Sequence, residues 1–176
     1  MKKLLIVFSI LLLGGTFAAA QESKAEVFGG YSFLRFNRPA TIGNFANLDG
    51  TNTNGWNAAL TGNVNRYFGI TADFSGHYGE IFPGGGNLHN FLFGPQLRLP
   101  AGRASLFVHA LGGTSHNSGN FVGSQTSAAY AFGGGLDWKV RDHVSLRVGQ
   151  LDYIGTHFVD QRQDNVRFST GLVLHF

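Results

Sequence analysis

The sequence predicts an all-β fold, namely a transmembrane antiparallel up-and-down β-barrel of about eight strands. Apolar and polar residues alternate with a period of two in most segments after residue 20, as expected for strands with two different faces. The segments are joined alternately by short turns and by long loops rich in glycine, asparagine and serine. Aromatic residues concentrate near the ends of the apolar faces, where a membrane barrel carries its interfacial girdles.

The N-terminal segment predicts export. Lys2 and Lys3 precede an apolar run at 4–13, and Ala18–Ala20 fits the small-residue rule for signal-peptide cleavage. The run is shorter than the roughly 18 residues that a transmembrane helix needs, so an uncleaved anchor is the less favoured alternative. We therefore expect a signal peptide at 1–20 and a barrel domain at 21–176, which begins at Gln21.

The composition limits the kinds of site that the chain can carry. The chain contains no cysteine, which excludes a disulfide framework, a thiolate metal site and a lipidated N-terminal cysteine. Removing Lys2 and Lys3 from the 13 basic residues leaves 11 against 10 acidic ones, with no basic stripe that would indicate a nucleic-acid partner. The seven histidines lack the spacing of zinc ligands. No metal and no cofactor is expected.

Eight segments carry the alternation. The last is the clearest, because nearly every second residue from Val166 onward is apolar or aromatic. In the seventh segment the apolar phase shifts between Val148 and Leu151, which predicts a β-bulge near Gly149-Gln150. An even number of strands returns both ends of the domain to the side of the short turns. The segments lie at about 26–36, 56–64, 68–78, 91–99, 104–113, 130–140, 143–154 and 166–176.

The connections and the aromatic residues give the barrel a direction in the membrane. Outer-membrane barrels have short periplasmic turns and longer extracellular loops. Short turns are predicted at Asn65-Arg66, Pro100–Arg103 and Arg141-Asp142, and long loops at about 37–53, 79–88, 114–126 and 155–164. The aromatic residues of the turn end are Phe68, Trp138 and Phe176, and those of the loop end are Tyr31, Phe33, Trp56, Phe74, Tyr78, Phe91, Tyr130, Tyr153 and Phe168.

The face opposite the apolar one carries charged side chains that we expect to point into the lumen. An eight-stranded barrel is narrow enough for side chains to fill, and buried charges need partners because desolvation costs several kcal/mol per ion. The sequence thus favours a structural network in which Arg147 and Asp152 meet, with a narrow or gated pore as the alternative. A soluble, lipocalin-like barrel would reverse the polarity of the faces. The network comprises Glu26, Asp73, Arg98, Asp137, Lys139, Arg147, Asp152 and Arg167.

Several motifs resemble those of the small OmpA-like and OmpX-like outer-membrane barrels. Gly55–Ile70 with Ala72–Ser75 resembles their second hairpin, Phe93–Gln96 their fourth strand and Leu146–Tyr153 their seventh. The alternation that closes on Phe176 resembles the signal that the outer-membrane assembly machinery reads. The resemblance implies a monomer integral to the bacterial outer membrane. Its implied partners are outer-membrane lipid and lipopolysaccharide, and the assembly machinery during biogenesis.

One motif could carry catalysis. His116-Asn117-Ser118, in the predicted loop 114–126, resembles the His-x-Ser of outer-membrane lipid A deacylases, in which the histidine would activate the serine. No carboxylate lies at a matching place, and this spacing arises easily in a polar loop, so we expect no catalytic residue. Inward histidines (His77, His109, His175) are interpreted as hydrogen-bonded lumen residues.

We therefore expect a non-enzymatic integral outer-membrane protein that is structural or interacts through its extracellular loops. Two alternatives stay open: a lipid A-modifying enzyme and a narrow porin-like channel.

Overall fold

The computed structural model describes residues 24–36, 51–79, 86–119, 123–158 and 161–176. The expected signal peptide, its cleavage before Gln21 and most of the predicted loop 37–53 lie outside these residues. Within the described ranges, none of the chain forms a helix that is both long enough and apolar enough to span a membrane.

Eight strands close into one antiparallel barrel, in which each strand pairs with the next and the last pairs with the first. This confirms the predicted fold class and strand number. The strands are β1 (Ala25–Phe36), β2 (Thr51–Asn63), β3 (Phe68–Gly79), β4 (Gly86–Ala101), β5 (Ala104–Gly119), β6 (Gly123–Arg141), β7 (Val144–Phe158) and β8 (Gln161–His175).

The strands are staggered by ten residues around the barrel. Paired residues followed from Asp164 in β8 through β7 to β1 lead back to β8 at Leu174, ten residues further along. With a rise of about 3.3 Å per residue and a strand spacing of about 4.8 Å, this stagger tilts the strands by about 40°. Because of this tilt, inward side chains from strands that are not neighbours lie at the same height along the barrel axis.

The alternation of faces follows the sequence prediction, including the bulge. Arg147 pairs with Gly171 and Gln150 pairs with Ser169, so β7 contains one more residue than β8 across this step. The pairing of β7 with β6 shifts at the same place. Because of the extra residue, both Arg147 and Gln150 are buried inside, at 4% and 1% exposure.

The hairpins on the loop side are longer than predicted. β5 runs to Gly119 and β6 starts at Gly123, so most of the expected loop 114–126 is paired strand. β7 and β8 likewise extend into the expected loop 155–164. The extension of β5 and β6, at 114–119 and 123–126, consists of polar residues and glycine, which made it look like a loop. Backbone hydrogen bonds hold them together, and an apolar face is not needed beyond the membrane level.

Aromatic side chains on the outward face cover glycines of the neighbouring strand. Trp56 is paired with Gly76, and Tyr130 is paired with Gly155. A Cβ atom would lie 2.7 Å from Trp56 Nε1 at Gly76 and 2.3 Å from Tyr130 Cζ at Gly155. The missing side chains thus make room for the rings, an arrangement that helps to fix strand register. Trp56 Nε1 also donates a hydrogen bond of 3.2 Å to Tyr78 Oη.

The interior contains two apolar clusters that the alternation alone did not indicate. The expected inward face was polar or small, but several large apolar side chains also point inward. One cluster occupies the loop-side half and a smaller one lies nearer the turns. Their members are Leu34, Leu88, Leu92, Leu111, Ala129, Ala131 and Ile154 in the first, and Phe28, Ala59 and Val173 in the second.

Candidate functional site: the lumen network

Arg167 is the centre of the loop-side part of the network and is fully buried, at 0% exposure. Its Nη1 and Nη2 donate to the two carboxylate oxygens of Asp73 at 2.7 and 3.0 Å. Its Nε donates to Asp152 Oδ2 at 2.9 Å. Asp152 Oδ1 lies 2.8 Å from His109 Nε2, and Asn57 Nδ2 donates to Asp73 at 2.9 Å. Both carboxylates are thus held by charge-assisted hydrogen bonds.

Arg147 is the centre of the turn-side part. Its Nε and Nη2 donate to Asp137 at 2.8 and 3.1 Å. Its guanidinium group lies between the rings of Phe28 and Phe107, 4.3 and 4.2 Å from their centroids. Such stacking stabilises a cation with little water around it. Sequence reasoning missed Phe107 because it is a large apolar side chain on an inward face that was expected to be polar.

Gln150 joins the two parts. It accepts a hydrogen bond of 2.7 Å from Arg147 Nη1 and donates one of 2.8 Å to Asp152. The expectation that Arg147 and Asp152 meet directly is therefore wrong. The bulge adds one residue between them, and this places the Gln150 amide where direct contact was expected.

The network continues to the turn-side mouth of the barrel. Both Arg98 Nη atoms donate to the carboxylate of Glu26, and Arg98 Nη2 lies 3.7 Å from Asp137. His175 Nδ1 lies 3.4 Å from the same Glu26 carboxylate. Seven of the eight charged residues proposed from the sequence thus form one connected set.

Lys139 does not belong to that set. Its side chain is 49% exposed and its Nζ lies 2.9 Å from Asp142 in the turn after β6. The hydrogen bond and the positive charge of Lys139 lower the pKa of the Asp142 carboxyl below its ordinary value. Lys139 was expected in the lumen because of its inward phase, but it lies two residues before the end of β6, where the ammonium group reaches water.

Small residues make room for the network. A Cβ at Gly133 would lie 2.0 Å from Asp152 Oδ1, and a Cβ at Gly135 would lie 2.8 Å from the Phe107 ring. Both glycines are on inward positions of β6. The side chains of the network and of the apolar clusters are buried in the lumen at their levels. Within the described part of the chain, no three His, Asp or Glu side chains converge on a metal site.

The His-x-Ser motif requires His116 to contact Ser118, but His116 has other partners. The motif lies in strand β5, not in a loop. His116 Nδ1 is 2.8 Å from Thr126 Oγ1, and Nε2 is 3.0 Å from Ser124 Oγ. A catalytic histidine of this kind needs a nucleophile on one nitrogen and an orienting group on the other. Thr126 occupies the position where a carboxylate would be expected. Neither of these two contacts of His116 involves Ser118.

Phe176 follows β8 at the turn end. Its side chain is 68% exposed, and its backbone nitrogen donates to Ala25 O at 2.9 Å. It therefore continues the β1–β8 pairing. Its role as an assembly signal stays a prediction.

Several solved structures that are similar to this chain are small outer-membrane barrels. Neisserial surface protein A matches with a TM-score of 0.71 and 14% identity over 88% of this chain and 98% of that one. Ail of Yersinia pestis matches with a TM-score of 0.55 and 17% identity over 88% and 100%. The N-terminal barrel domain of Pseudomonas aeruginosa OprF matches with a TM-score of 0.52 and 11% identity over 89% and 100%.

No protein-family model matches the chain, and no curated protein sequence does. The likeness is therefore one of structure at low sequence identity. By strand number, closure and overall superposition, this chain has the fold of the small eight-stranded outer-membrane β-barrels.

Proposed function

We propose that this chain is a non-enzymatic integral outer-membrane protein with a closed lumen, whose role is structural or carried by its extracellular surface. The fold that it shares with outer-membrane barrels supports the location. Outward apolar side chains such as Leu106 and Leu172, at 54% and 53% exposure, support contact with lipid.

The observation that carries the closed lumen is the connected network itself. Arg147 lies between Phe28 and Phe107 across the interior, and beyond it Arg167 bridges Asp73 and Asp152. An ion that entered the lumen would have to separate these charge pairs. A buried charge that is separated from its partner is left uncompensated, which is costly in a low-dielectric interior, so the network opposes conduction.

The extended β5–β6 hairpin supports a surface role. The described residues at its tip, 114–119 and 123–127, carry hydroxyl, amide and imidazole groups, but no formal charge. Ail, which shares the fold, is named an attachment invasion locus protein and was solved with a heparin analogue. By analogy we propose that the loop side of this chain contacts other surfaces. An uncharged hairpin favours recognition by hydrogen bonds over recognition of sulfate groups by cations.

Planar-bilayer recording of the refolded protein tests the closed lumen. We expect no sustained unitary conductance for the unaltered chain, because its interior is filled. The double variant Arg147→Ala, Phe107→Ala removes the side chains that cross the lumen and should raise the frequency of conducting events. Leu106→Ala, on the outward face of the same strand, is the matched control and should leave the record unchanged. Well-defined single-channel steps from the unaltered protein would contradict the proposal and favour the narrow-channel alternative.

Lipid A turnover on the same refolded sample tests the absence of enzymatic activity. We expect no release of fatty acid, since His116 contacts two hydroxyl groups and no carboxylate among the described residues. Fatty acid release that is lost in both His116→Ala and Ser124→Ala would refute this expectation. Loss in His116→Ala and Ser118→Ala would instead favour the motif read from the sequence.

A further inference from the structure

The turn end of the barrel carries a ring of basic side chains, which we call the cationic rim. Lys24 precedes β1, Arg66 and Arg103 lie in the turns after β2 and β4, and Lys139 and Arg141 end β6. All five side chains are exposed. They come from four separate parts of the chain and lie at one end of the barrel because the strands pair in this order.

The described residues of the turn end include few acidic side chains that could offset the charge of the rim. Among the described residues, Asp142 is the only exposed acidic side chain at this end, and it pairs with Lys139. Glu26 and Asp137 are also near this end, but they are buried at 3% and 2% exposure and bind arginines of the lumen network. Among the described residues, the exposed side chains of this end thus comprise five basic groups and one acidic group.

The rim lies at the level of the turn-end aromatic residues. Tyr67 and Trp138 are 50% and 46% exposed on the outside, and the Arg66 guanidinium is 4.9 Å from the Tyr67 ring centroid. Aromatic side chains of this kind occupy the headgroup level of a membrane. Arg103 is close to Trp138, because its neighbour Ala104 is paired with Trp138.

A cleft opens at the same level. It has a volume of about 270 Å³, and its basic lining comes from Arg66, Arg98, Arg103 and Lys139. Arg98 Nε is buried there and has no hydrogen-bond partner. The cleft thus offers space for an anionic group beside the rim, and Glu26 and Asp142 are the acidic residues of its lining.

We propose that the cationic rim binds the anionic headgroups of phospholipids in the periplasmic leaflet. Basic side chains next to an anionic membrane surface attract it over roughly one Debye length. Cell-wall polymers are a less fitting partner, because the rim residues lie beside the aromatic headgroup belt and do not extend on a separate domain. The inference rests on the proposed membrane location of the barrel.

The two tryptophans of the chain provide the test, since Trp138 lies at the rim and Trp56 lies toward the other end. In a Trp56→Phe variant, fluorescence reports Trp138 alone. The protein is refolded into zwitterionic phosphatidylcholine vesicles that contain equal mole fractions of brominated phosphatidylglycerol or of brominated phosphatidylcholine. We expect phosphatidylglycerol to compete for the Trp138 site roughly fivefold better, which is about the effect of one basic side chain at an anionic surface.

The preference for phosphatidylglycerol should disappear when positive charges of the rim are removed. Arg103→Gln with Arg141→Gln should bring the two lipids to nearly equal quenching, while Arg35→Gln, at the loop end of β1, should leave the preference unchanged. Heat-modifiable gel migration checks that each variant folds. If the double variant fails to fold, measurement of the Trp56→Phe protein in 1 M salt replaces it, since charge attraction is screened within about 3 Å there.

The rim proposal and the membrane location are contradicted by different results. Equal quenching by both lipids in the Trp56→Phe protein overturns the rim proposal, as does a preference that survives both charge removal and salt. If neither Trp138 nor Trp56, measured in a Trp138→Phe protein, is quenched by any brominated lipid, then the membrane location itself is wrong.

Discussion

Replacement of Arg167 by methionine is expected to lower the free energy of unfolding by about 3–5 kcal/mol. Arg167 is fully buried and is the cation shared by Asp73 and Asp152. Without it, two carboxylates stay buried next to each other with only amide and imidazole partners. Urea titration of the refolded protein in vesicles, followed by tryptophan fluorescence, measures the loss.

A double-mutant cycle shows whether the loss comes from the pairing. Asp152→Asn added to Arg167→Met should recover part of the lost free energy, because it removes one of the two carboxylate charges that Arg167→Met leaves unpaired. The matched cycle combines Arg167→Met with Asp137→Asn. Asp137 belongs to the same network but contacts Arg147 and Arg98, so the two losses should be nearly additive. Additive losses in both cycles would mean that Arg167 and Asp152 do not interact.

Replacement of Leu172 by arginine is expected to cost about 2–4 kcal/mol or to prevent insertion, because it places a charge in the lipid-facing band far from either interface. Leu172 is on the outward face of β8 with 53% exposure. Yield of heat-modifiable protein and urea unfolding of the folded fraction give the two measurements. If the variant matched the unaltered protein in both, the outward face of β8 would not be in contact with lipid.

The matched control lies two residues further along the same face. Leu174, at 42% exposure, is nearer the turn-end girdle, where an arginine costs only about 0–1 kcal/mol. Ser169 is not a suitable control, since it is fully buried and its hydroxyl donates to Ser32 at 3.1 Å. Because the chain has no native cysteine, a single spin label at position 172 should respond more strongly to a lipid-soluble relaxation agent than to a water-soluble one.

The faces of the strands were predictable because side chains alternate strictly along a strand. Once one residue of a strand is assigned to a face, the faces of the other residues follow. A single extra residue reverses the assignment for the rest of the strand. The phase shift before Leu151 could therefore be read as a bulge from the sequence alone, and the pairing of β7 with β8 confirms it. The same rule assigned Asp73, Arg147 and Arg167 to the interior.

The partners within the lumen were not predictable, because alternation assigns a face but not a level. The stagger of ten residues and the resulting tilt decide which inward side chains are at the same height. For this reason Arg98 meets Glu26, which is 72 positions away, and Arg167 meets Asp73, which is 94 positions away. The exposed position of Lys139 also depends on the height at which β6 ends.

The sequence by itself determined the all-β barrel, its eight strands, the inward and outward faces and the bulge, since these follow from local periodicity and turn composition. Only the tertiary structure decided the order of charges in the lumen, the apolar clusters around Leu111 and Phe28, the paired extension of β5 and β6, and the basic rim. Each of these depends on how far one strand is displaced against another when the sheet closes, and no short segment of the chain carries that information.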